Sequence, residues 1–269
     1  MWLLSDVITV FHYFLSYEYQ LAEFVSYSMI ACGMIVFLWL SRGAKASYGR
    51  YSSESIFRKY SVPARAAWFL QEIPSLIIPL LYMITLFPSL SSSNVVVVSL
   101  FVAHYAQRSL IYPFLIKGGK ATPLHIFLQA ALFCAGNGFI QGVWHTRYVD
   151  YNEDWMYDSV TWAGIALFIC GAFTNLQSDS ILRNLRRPGE RGYKIPRGGL
   201  FEYVSCANYF GESVEWIGYA LAARTLPAFA FALFTVCNLG PRAVHHHRWY
   251  IEKFEDYPKT RKAIIPFVL

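Results

Sequence analysis

The sequence has few charged residues and none of the motifs by which soluble enzymes usually hold nucleotides. Charged side chains make up 15% of its 269 residues, against about 25% in an ordinary soluble domain. There is no Gly-x-Gly-x-x-Gly stretch after a strand pattern and no P-loop motif, so a nucleotide would have to bind outside the usual soluble folds. These absences exclude a typical soluble nucleotide-binding domain.

Cysteine motifs are also missing. The five cysteines lie in apolar runs without a Cys-x-x-Cys spacing, which predicts small buried side chains and not disulfides or metal ligands. His245, His246 and His247 stand at the end of the last apolar run, between Arg242 and Arg248. This basic setting favours an anion site or an interfacial anchor, and no metal site is predicted.

Hydrophobic residues are abundant, at 55% of the chain. Apolar runs long enough to cross a bilayer, which takes about 17–25 residues, predict seven transmembrane helices. They cover residues 21–40, 66–87, 95–116, 124–144, 160–182, 201–223 and 227–244. The sixth and seventh have the weakest pattern, because Pro227 and three polar residues interrupt it. The chain is therefore predicted to be an all-α integral membrane protein with a single domain over residues 1–269.

The N-terminal stretch carries Asp6, Glu18 and Glu23, with no basic segment and no cleavage site of small residues. We therefore expect the first run to be an uncleaved anchor and not a signal peptide.

Basic residues are concentrated in alternate loops. The basic segments contain Arg42, Lys45, Arg50, Arg58, Lys59 and Arg65; Lys117 and Lys120; and Arg183, Arg186, Arg187, Arg191, Lys194 and Arg197; the tail is basic again. The other loops are uncharged, acidic, or short with a single arginine. Because basic loops stay on the cytosolic side, the pattern predicts a lumenal N-terminus and a cytosolic C-terminus.

Three polar residues stand within the sixth run. Asn208, Glu212 and Glu215 follow one another at i, i+4 and i+7, so a helix places them on one face. A carboxylate at the bilayer centre costs about 2.5–3.5 kcal/mol on insertion scales, and such a residue is a functional-site hypothesis by default. The alternative is that these carboxylates pair with basic residues of neighbouring helices and only hold the bundle together.

Other runs carry polar groups too. Gln71 and Glu72 form a hydrogen-bonding pair in the second run, and Tyr105, Arg108 and Tyr112 share a face of the third. A further stripe in the fifth run becomes cationic toward the cytosol and consists of Asn175, Asp179, Arg183 and Arg186. If all these polar side chains point into one cavity, none of them faces lipid. The arginines at the cytosolic end of the fifth run would then form the mouth of this cavity, where guanidinium groups suit phosphate. These residues alone predict a membrane enzyme or binder for an anionic cofactor and a lipid-like ligand.

Longer motifs resemble the steroid 5α-reductase family over nearly the whole chain. In the first half these are the run from Ala67 to Ser75 and the pair His104-Tyr105. In the second half they are Asn175 with Ser178-Asp179, the run from Gly192 to Tyr203, Asn208 to Glu212 with Glu215-Trp216, and the segment from Trp249 to Lys262. The stretch from Tyr112 to Lys120 is most similar to the type 1 members.

The resemblance implies NADPH-dependent reduction of the Δ4 double bond of a 3-oxo steroid such as testosterone or progesterone. Hydride would reach C5, and the enolate at the 3-oxygen would be stabilised by Glu72 and Tyr105 in a water-poor cavity. Tyr105 would donate the proton, and Gln71 would support Glu72. The N-terminal half would bind steroid, and residues 117–269 would mainly bind NADPH.

By the same resemblance, a larger set of residues would bind the cofactor. It comprises Trp68, Arg108, Lys120, Asn175, Asp179, Arg183, Arg186, Tyr193, Lys194, Asn208, Glu212, His246 and Tyr250. Two positions depart from the family pattern. Lys194 stands where some members have Arg and lacks the guanidinium fork, and Asn238 replaces a Phe often found near the steroid pocket, which puts substrate preference in doubt.

Other function classes stay open at this point. An enoyl-CoA or other lipid enone reductase, or a membrane methyltransferase, would share the C-terminal cofactor region, although Gln71-Glu72 and His104-Tyr105 address a steroidal enone. A seven-span receptor or a non-catalytic sterol-binding protein are the non-enzyme alternatives. The family further implies a multi-pass protein of the endoplasmic reticulum membrane, whose partners are steroid, NADPH and lipid, with no nucleic acid and no obligate protein partner.

Overall fold

A computed structural model describes residues 2–45, 51, 60–151, 153–186, 190 and 192–269. The long helices are α1 (Trp2–Ser41), α2 (Ala64–Leu86), α3 (Ser92–Ala106), α5 (Leu124–Val143), α6 (Ser159–Asn184), α7 (Ala207–Ala223) and α8 (Leu226–Lys253), and α4 (Tyr112–Leu115) is one turn long. Two short strands, β1 (Ser61–Val62) and β2 (Thr122–Pro123), pair antiparallel and join the starts of α2 and α5. Three basic residues of the first loop, Arg50, Arg58 and Lys59, and two that follow α6, Arg187 and Arg191, lie outside the described residues.

The prediction of a helical integral membrane protein is confirmed. Within the described ranges, six helical segments are long and apolar enough to cross a bilayer. They are Ser16–Ser41, Ala64–Ser89, Ser92–Leu115, Leu124–Tyr148, Ser159–Asn184 and Leu226–Lys253. Each overlaps one of the predicted runs, so six of the seven expected spans have a structural counterpart of sufficient length.

The sixth predicted run, residues 201–223, is not helical throughout. Its first residues form a short turn, and α7 begins only at Ala207. The backbone amides of Ser205 and Cys206 instead donate to the carbonyls of Lys262 and Ala263, at 2.8 and 3.2 Å. Pairing with the C-terminal segment therefore uses the amide groups of this stretch and leaves α7 with 17 residues.

Four glycines let α6 and α7 pack with their backbones in contact. A Cβ added at Gly171 would lie 2.3 Å from the Glu215 amide nitrogen, and one at Gly211 would lie 2.6 Å from that of Asn175. Gly164 and Gly218 repeat the arrangement seven residues away along each helix. Small residues at helix interfaces allow such close approach in membranes, and here they bring the polar faces of α6 and α7 together.

The same device joins α2 to α5. A Cβ at Gly138 would lie 2.9 Å from the Pro74 carbonyl oxygen, and one at Gly142 would lie 2.9 Å from the Pro79 Cα. Ser75 then donates a hydrogen bond to the Cys134 carbonyl at 2.8 Å. Pro74 and Pro79, the two prolines inside α2, therefore face glycines of α5, and the Glu72 turn of α2 is held against α5.

The third span changes its winding midway. After Ala106 the chain forms a π-helical turn over Gln107–Ile111 before α4. Such single turns occur often at functional sites because they rotate the residues that follow. Arg108 lies in this turn and is buried.

We expect Gly171→Ala to destabilise the protein strongly, because its methyl group would meet backbone atoms of α7 that cannot move independently. Overpacking of this kind typically lowers the free energy of unfolding by about 1–3 kcal/mol. The change would be measured as a lower melting temperature in detergent micelles. The matched control is Gly136→Ala on α5, whose methyl would make only an ordinary 3.7 Å contact with Val25. Equal melting temperatures for the two variants would contradict the close helix contact.

Candidate active site

The first group of polar side chains surrounds Glu72 on α2. Gln71 donates from Nε2 to Glu72 Oε1 at 3.4 Å, and the Cys134 thiol on α5 approaches Glu72 Oε2 at 3.8 Å. Both contacts are long for hydrogen bonds. The carboxyl group of Glu72 therefore has capacity for a stronger partner, and Gln71 lies where the sequence predicted support for it.

Tyr105 on α3 lies beside the Glu72 group and is 4% exposed. Its hydroxyl oxygen accepts a hydrogen bond from Asn137 Nδ2 at 3.4 Å and interacts electrostatically with Glu72. Aromatic rings enclose it, with Phe101 at 4.7 Å and Trp216 at 6.1 Å between ring centroids. Glu72 and Tyr105, predicted as a pair from separate spans, thus lie near one another between α2, α3 and α5, where Phe101 and the Trp216 ring of α7 form the apolar side of a candidate pocket.

The second group is built around Arg108. Its Nη1 donates to Asp179 Oδ2 at 2.9 Å, and both side chains are at most 10% exposed. The guanidinium lies over the Trp68 ring at 4.8 Å and over the Tyr112 ring at 4.5 Å. An ion pair buried in this way is held by its own hydrogen bond and by two cation–π contacts.

Glu212 on α7 faces the same guanidinium. It interacts electrostatically with Arg108, His104 and Asp179, and no hydrogen bond to its carboxylate is found among the described residues. Arg108 also interacts with Glu72 across the pocket. The Glu72–Tyr105 group and the Arg108 group therefore adjoin one another in the interior of the bundle.

Asn175 and Asn208 link α6 to α7, which gives both residues a structural role. Asn175 Nδ2 donates to the Asn208 backbone carbonyl at 3.0 Å, across the α6–α7 contact. Its amide oxygen and the Asn208 side chain make no hydrogen bond within the described part of the chain. Arg183, one turn beyond Asp179, lies 5.8 Å from the Tyr112 ring and begins the basic stripe toward the mouth.

Glu215 differs from the other carboxylates. His104 Nδ1 lies 2.7 Å from its Oε1, and both side chains are at most 7% exposed. For this residue the structure favours the alternative that a membrane carboxylate pairs with a base on a neighbouring helix. The stripe Asn208–Glu212–Glu215 is thus divided, with Glu212 toward Arg108 and Glu215 toward His104.

Six predicted cofactor residues lie on the surface or contact residues outside the Arg108 group. Lys120 and Arg186 are exposed, Lys194 forms an ion pair with Glu190, and Tyr193 packs edge-on against Trp249 at 4.9 Å. Tyr250 is 3% exposed and stacks on Tyr257 at 5.3 Å, while His246 lies 3.3 Å from the Tyr209 hydroxyl.

The sequence interpretation missed the contribution of α5. Cys134 was taken as a small apolar residue, and Asn137 was not considered. Asn137 and Gln141 nevertheless repeat at i, i+4 within an apolar run, which is the same signal that drew attention to Asn208 and Glu212. That spacing would have identified the helix.

Comparisons with known proteins show the family. A family model described as 3-oxo-5-alpha-steroid 4-dehydrogenase matches residues 120–269. The chain is 49% identical over 261 residues to 3-oxo-5-alpha-steroid 4-dehydrogenase 1 of Bos taurus, covering 94% of this chain and 98% of that protein. It is 54% identical over 228 residues to the Mus musculus protein of the same name (83% and 88% covered), and 48% identical over 224 residues to 3-oxo-5-alpha-steroid 4-dehydrogenase 2 of Sus scrofa (83% and 88%). The chain belongs to the 3-oxo-5-alpha-steroid 4-dehydrogenase family.

Proposed function

We propose that this protein reduces the Δ4 double bond of 3-oxo steroids to 5α-reduced 3-oxo steroids, with NADPH as the reductant. The observation that carries the proposal is the convergence of Glu72 and the Tyr105 hydroxyl in one apolar-walled pocket beside the buried Arg108 group. Family membership and the similarity to proteins named for this chemistry support it. They favour it over the enoyl-CoA reductase, methyltransferase, receptor and non-catalytic alternatives.

The pocket suits the electronic demand of the reaction. NADPH, when bound, supplies the hydride that goes to C5 of the steroid. Negative charge then develops on the 3-oxygen, which the Tyr105 hydroxyl and the Glu72 carboxyl group would stabilise by hydrogen bonding. The enolate takes up one proton, for which Tyr105 is the proposed donor, and this proton ends on C4 as the C4–C5 double bond is lost. Solvent returns a proton to Tyr105, so each turnover consumes one NADPH and one proton. Donors aimed at a developing oxyanion in a water-poor site stabilise it far more than they would in water.

The chemistry of the Arg108 group suits the nicotinamide end of NADPH. The unbonded carboxylate of Glu212 can accept from a carboxamide or a ribose hydroxyl, and the amide oxygen of Asn175 is equally available. The Trp68 ring offers an apolar face beside them. We assign Trp68, Arg108, Asn175, Asp179, Asn208 and Glu212 to this end of the cofactor.

The phosphate end would lie at the basic mouth. Arg183 extends toward it from α6, and the exposed Arg186 and Lys120 leave their charges available to phosphate oxygens. Lys194, Tyr193, His246 and Tyr250 complete the cofactor set in this proposal. Lys194 would exchange its pairing with Glu190 for a phosphate.

The topology follows from the same proposal. Residues 117–269 mainly bind NADPH and the first half binds steroid, within a single domain. The short helix α7 crosses as the seventh span, shielded from lipid by α6 and α8. The N-terminus is lumenal, the C-terminus is cytosolic where NADPH is available, and the membrane is that of the endoplasmic reticulum.

The direct test uses membranes from cells that express the chain. They are incubated with testosterone and NADPH, or with NADH, and the 5α- and 5β-dihydro products are separated by chromatography. A 5α product that depends on NADPH is expected. No product from testosterone, progesterone or androstenedione, with the protein folded and inserted, would contradict the proposal.

We expect Glu72→Gln and Tyr105→Phe each to lower kcat by about 100-fold, since general acid assistance contributes about 10²–10⁴-fold. Both variants should remain folded, because the hydrogen bonds of Glu72 to Gln71 and Cys134 and that of Tyr105 to Asn137 are long. The matched control is Tyr82→Phe on α2, the helix that also carries Glu72. This change removes a hydroxyl that donates a hydrogen bond to Glu18 at 2.8 Å. That variant should lose stability while turnover per folded molecule is kept. Wild-type turnover in Glu72→Gln would refute its role.

We expect Arg186→Ala to raise KM for NADPH about tenfold and to leave KM for steroid unchanged. A charge-assisted hydrogen bond contributes about 1.5–3 kcal/mol, and about 1.4 kcal/mol corresponds to a factor of ten. Lys259→Ala, which removes an exposed charge in the tail, is the control. An unchanged KM for NADPH would exclude Arg186 from the phosphate site.

A further inference from the structure

A line of buried polar side chains runs along α5 away from Tyr105. Asn137 and Gln141 lie on α5, and His145 lies in the π-helical turn Trp144–Tyr148 that continues it. They follow one another at intervals of four residues and are 0%, 1% and 0% exposed. Burying amide groups costs free energy unless every donor and acceptor is paired. Apolar residues would pack there at lower free-energy cost, so the presence of three buried polar residues requires a physical explanation.

The side chains form one continuous series of hydrogen bonds. Asn137 Nδ2 donates to the Tyr105 hydroxyl at 3.4 Å, and Gln141 Nε2 donates to Asn137 Oδ1 at 3.2 Å. Gln141 Nε2 also donates to the Pro227 carbonyl at 2.9 Å. His145 Nε2 lies 3.2 Å from Gln141 Oε1 and completes the series.

The Pro227 carbonyl determines the direction of the series. A carbonyl oxygen can only accept, so the amide nitrogen of Gln141 must face Pro227. Its second N–H then meets the oxygen of Asn137, which turns the Asn137 amide nitrogen toward Tyr105. The Tyr105 oxygen therefore accepts a hydrogen bond from Asn137. The hydrogen of Ser75 goes to the Cys134 carbonyl, so the Ser75 oxygen can accept from Tyr105, and a steroid 3-oxygen would replace it as the acceptor.

The far end of the series is anchored to backbone. His145 Nδ1 lies 3.0 Å from the Tyr151 hydroxyl, which donates to the Ala223 carbonyl at 3.0 Å. Burial raises the pKa of Tyr151, so this hydroxyl stays protonated and keeps its role as a donor. Both Ala223 and Pro227 flank the turn between α7 and α8, which ties the α5 line to the helices of the proposed cofactor site.

We propose that Asn137 and Gln141 are positioning residues that orient the Tyr105 hydroxyl toward the 3-oxygen of the steroid. The Asn137 N–H would also stabilise the charge that develops on the Tyr105 oxygen as its hydrogen shifts toward the enolate. Linked hydrogen bonds polarise one another, which strengthens this effect. The inference rests on the proposed function and assigns roles to two residues outside the predicted site.

We expect Asn137→Leu, which keeps the volume but removes the donor, to lower kcat about tenfold or more with KM for NADPH unchanged. Gln141→Met should lower kcat less, because Asn137 keeps its donor but loses the group that orients it. The matched control is Gln129→Met on the exposed face of α5, which should retain wild-type turnover. Folded protein is quantified by size-exclusion chromatography, so rates refer to folded molecules.

A double-mutant cycle separates positioning from a general structural effect. In the Tyr105→Phe background there is no hydroxyl to orient, so adding Asn137→Leu should lower kcat no further. If Asn137→Leu lowers kcat by the same factor in the wild-type and Tyr105→Phe proteins, this inference is wrong and the proposed function is unaffected. Wild-type turnover in Tyr105→Phe itself would overturn the proposed role of Tyr105 and this inference with it. If Asn137→Leu does not accumulate as folded protein, Gln141→Met is carried through the same cycle.

Discussion

The ion pair between Arg108 and Asp179 is the interaction on which the interior of this protein depends. A lone buried charge in an apolar bundle is strongly unfavourable, and even a pair must be well hydrogen-bonded to persist. The 2.9 Å contact, together with the Trp68 and Tyr112 rings over the guanidinium, meets that requirement. It joins the π-helical turn of the third span to α6 and links helices distant in sequence.

Close helix packing makes this charged centre possible. Where Gly171 and Gly211 meet, the backbones of α6 and α7 touch, so the short Asn175 side chain reaches across the contact to the Asn208 carbonyl. Bulkier residues would separate the helices and open the pair to lipid or water. The glycines therefore act on the site indirectly, by setting the distance between the helices that carry it.

Two chemically different regions adjoin in the pocket. Around Glu72 and Tyr105 the contacts are long hydrogen bonds to Gln71, Cys134 and Asn137, which suits groups that exchange a proton. Around Arg108 the contacts are ionic, which suits an anionic cofactor. Arg108 and Glu72 interact electrostatically, so the two regions are close enough for the proposed function, in which a hydride donor in one reaches a polarised ketone in the other.

Much of this was determined by the sequence alone, because a bilayer demands long apolar runs and makes polar residues within them conspicuous. Six spans and the candidate residues Glu72, Tyr105, Arg108 and Asp179 were visible in that way, and long motifs indicated the family. Only the tertiary structure decided which groups are partners. Glu215 pairs with His104 and not with the Arg108 group. Pairing with the distant C-terminal segment sets the start of α7. Asn137 of α5 contacts Tyr105 of α3. Periodicity reports which face of a helix a residue occupies, but the neighbour of that face depends on how the helices pack.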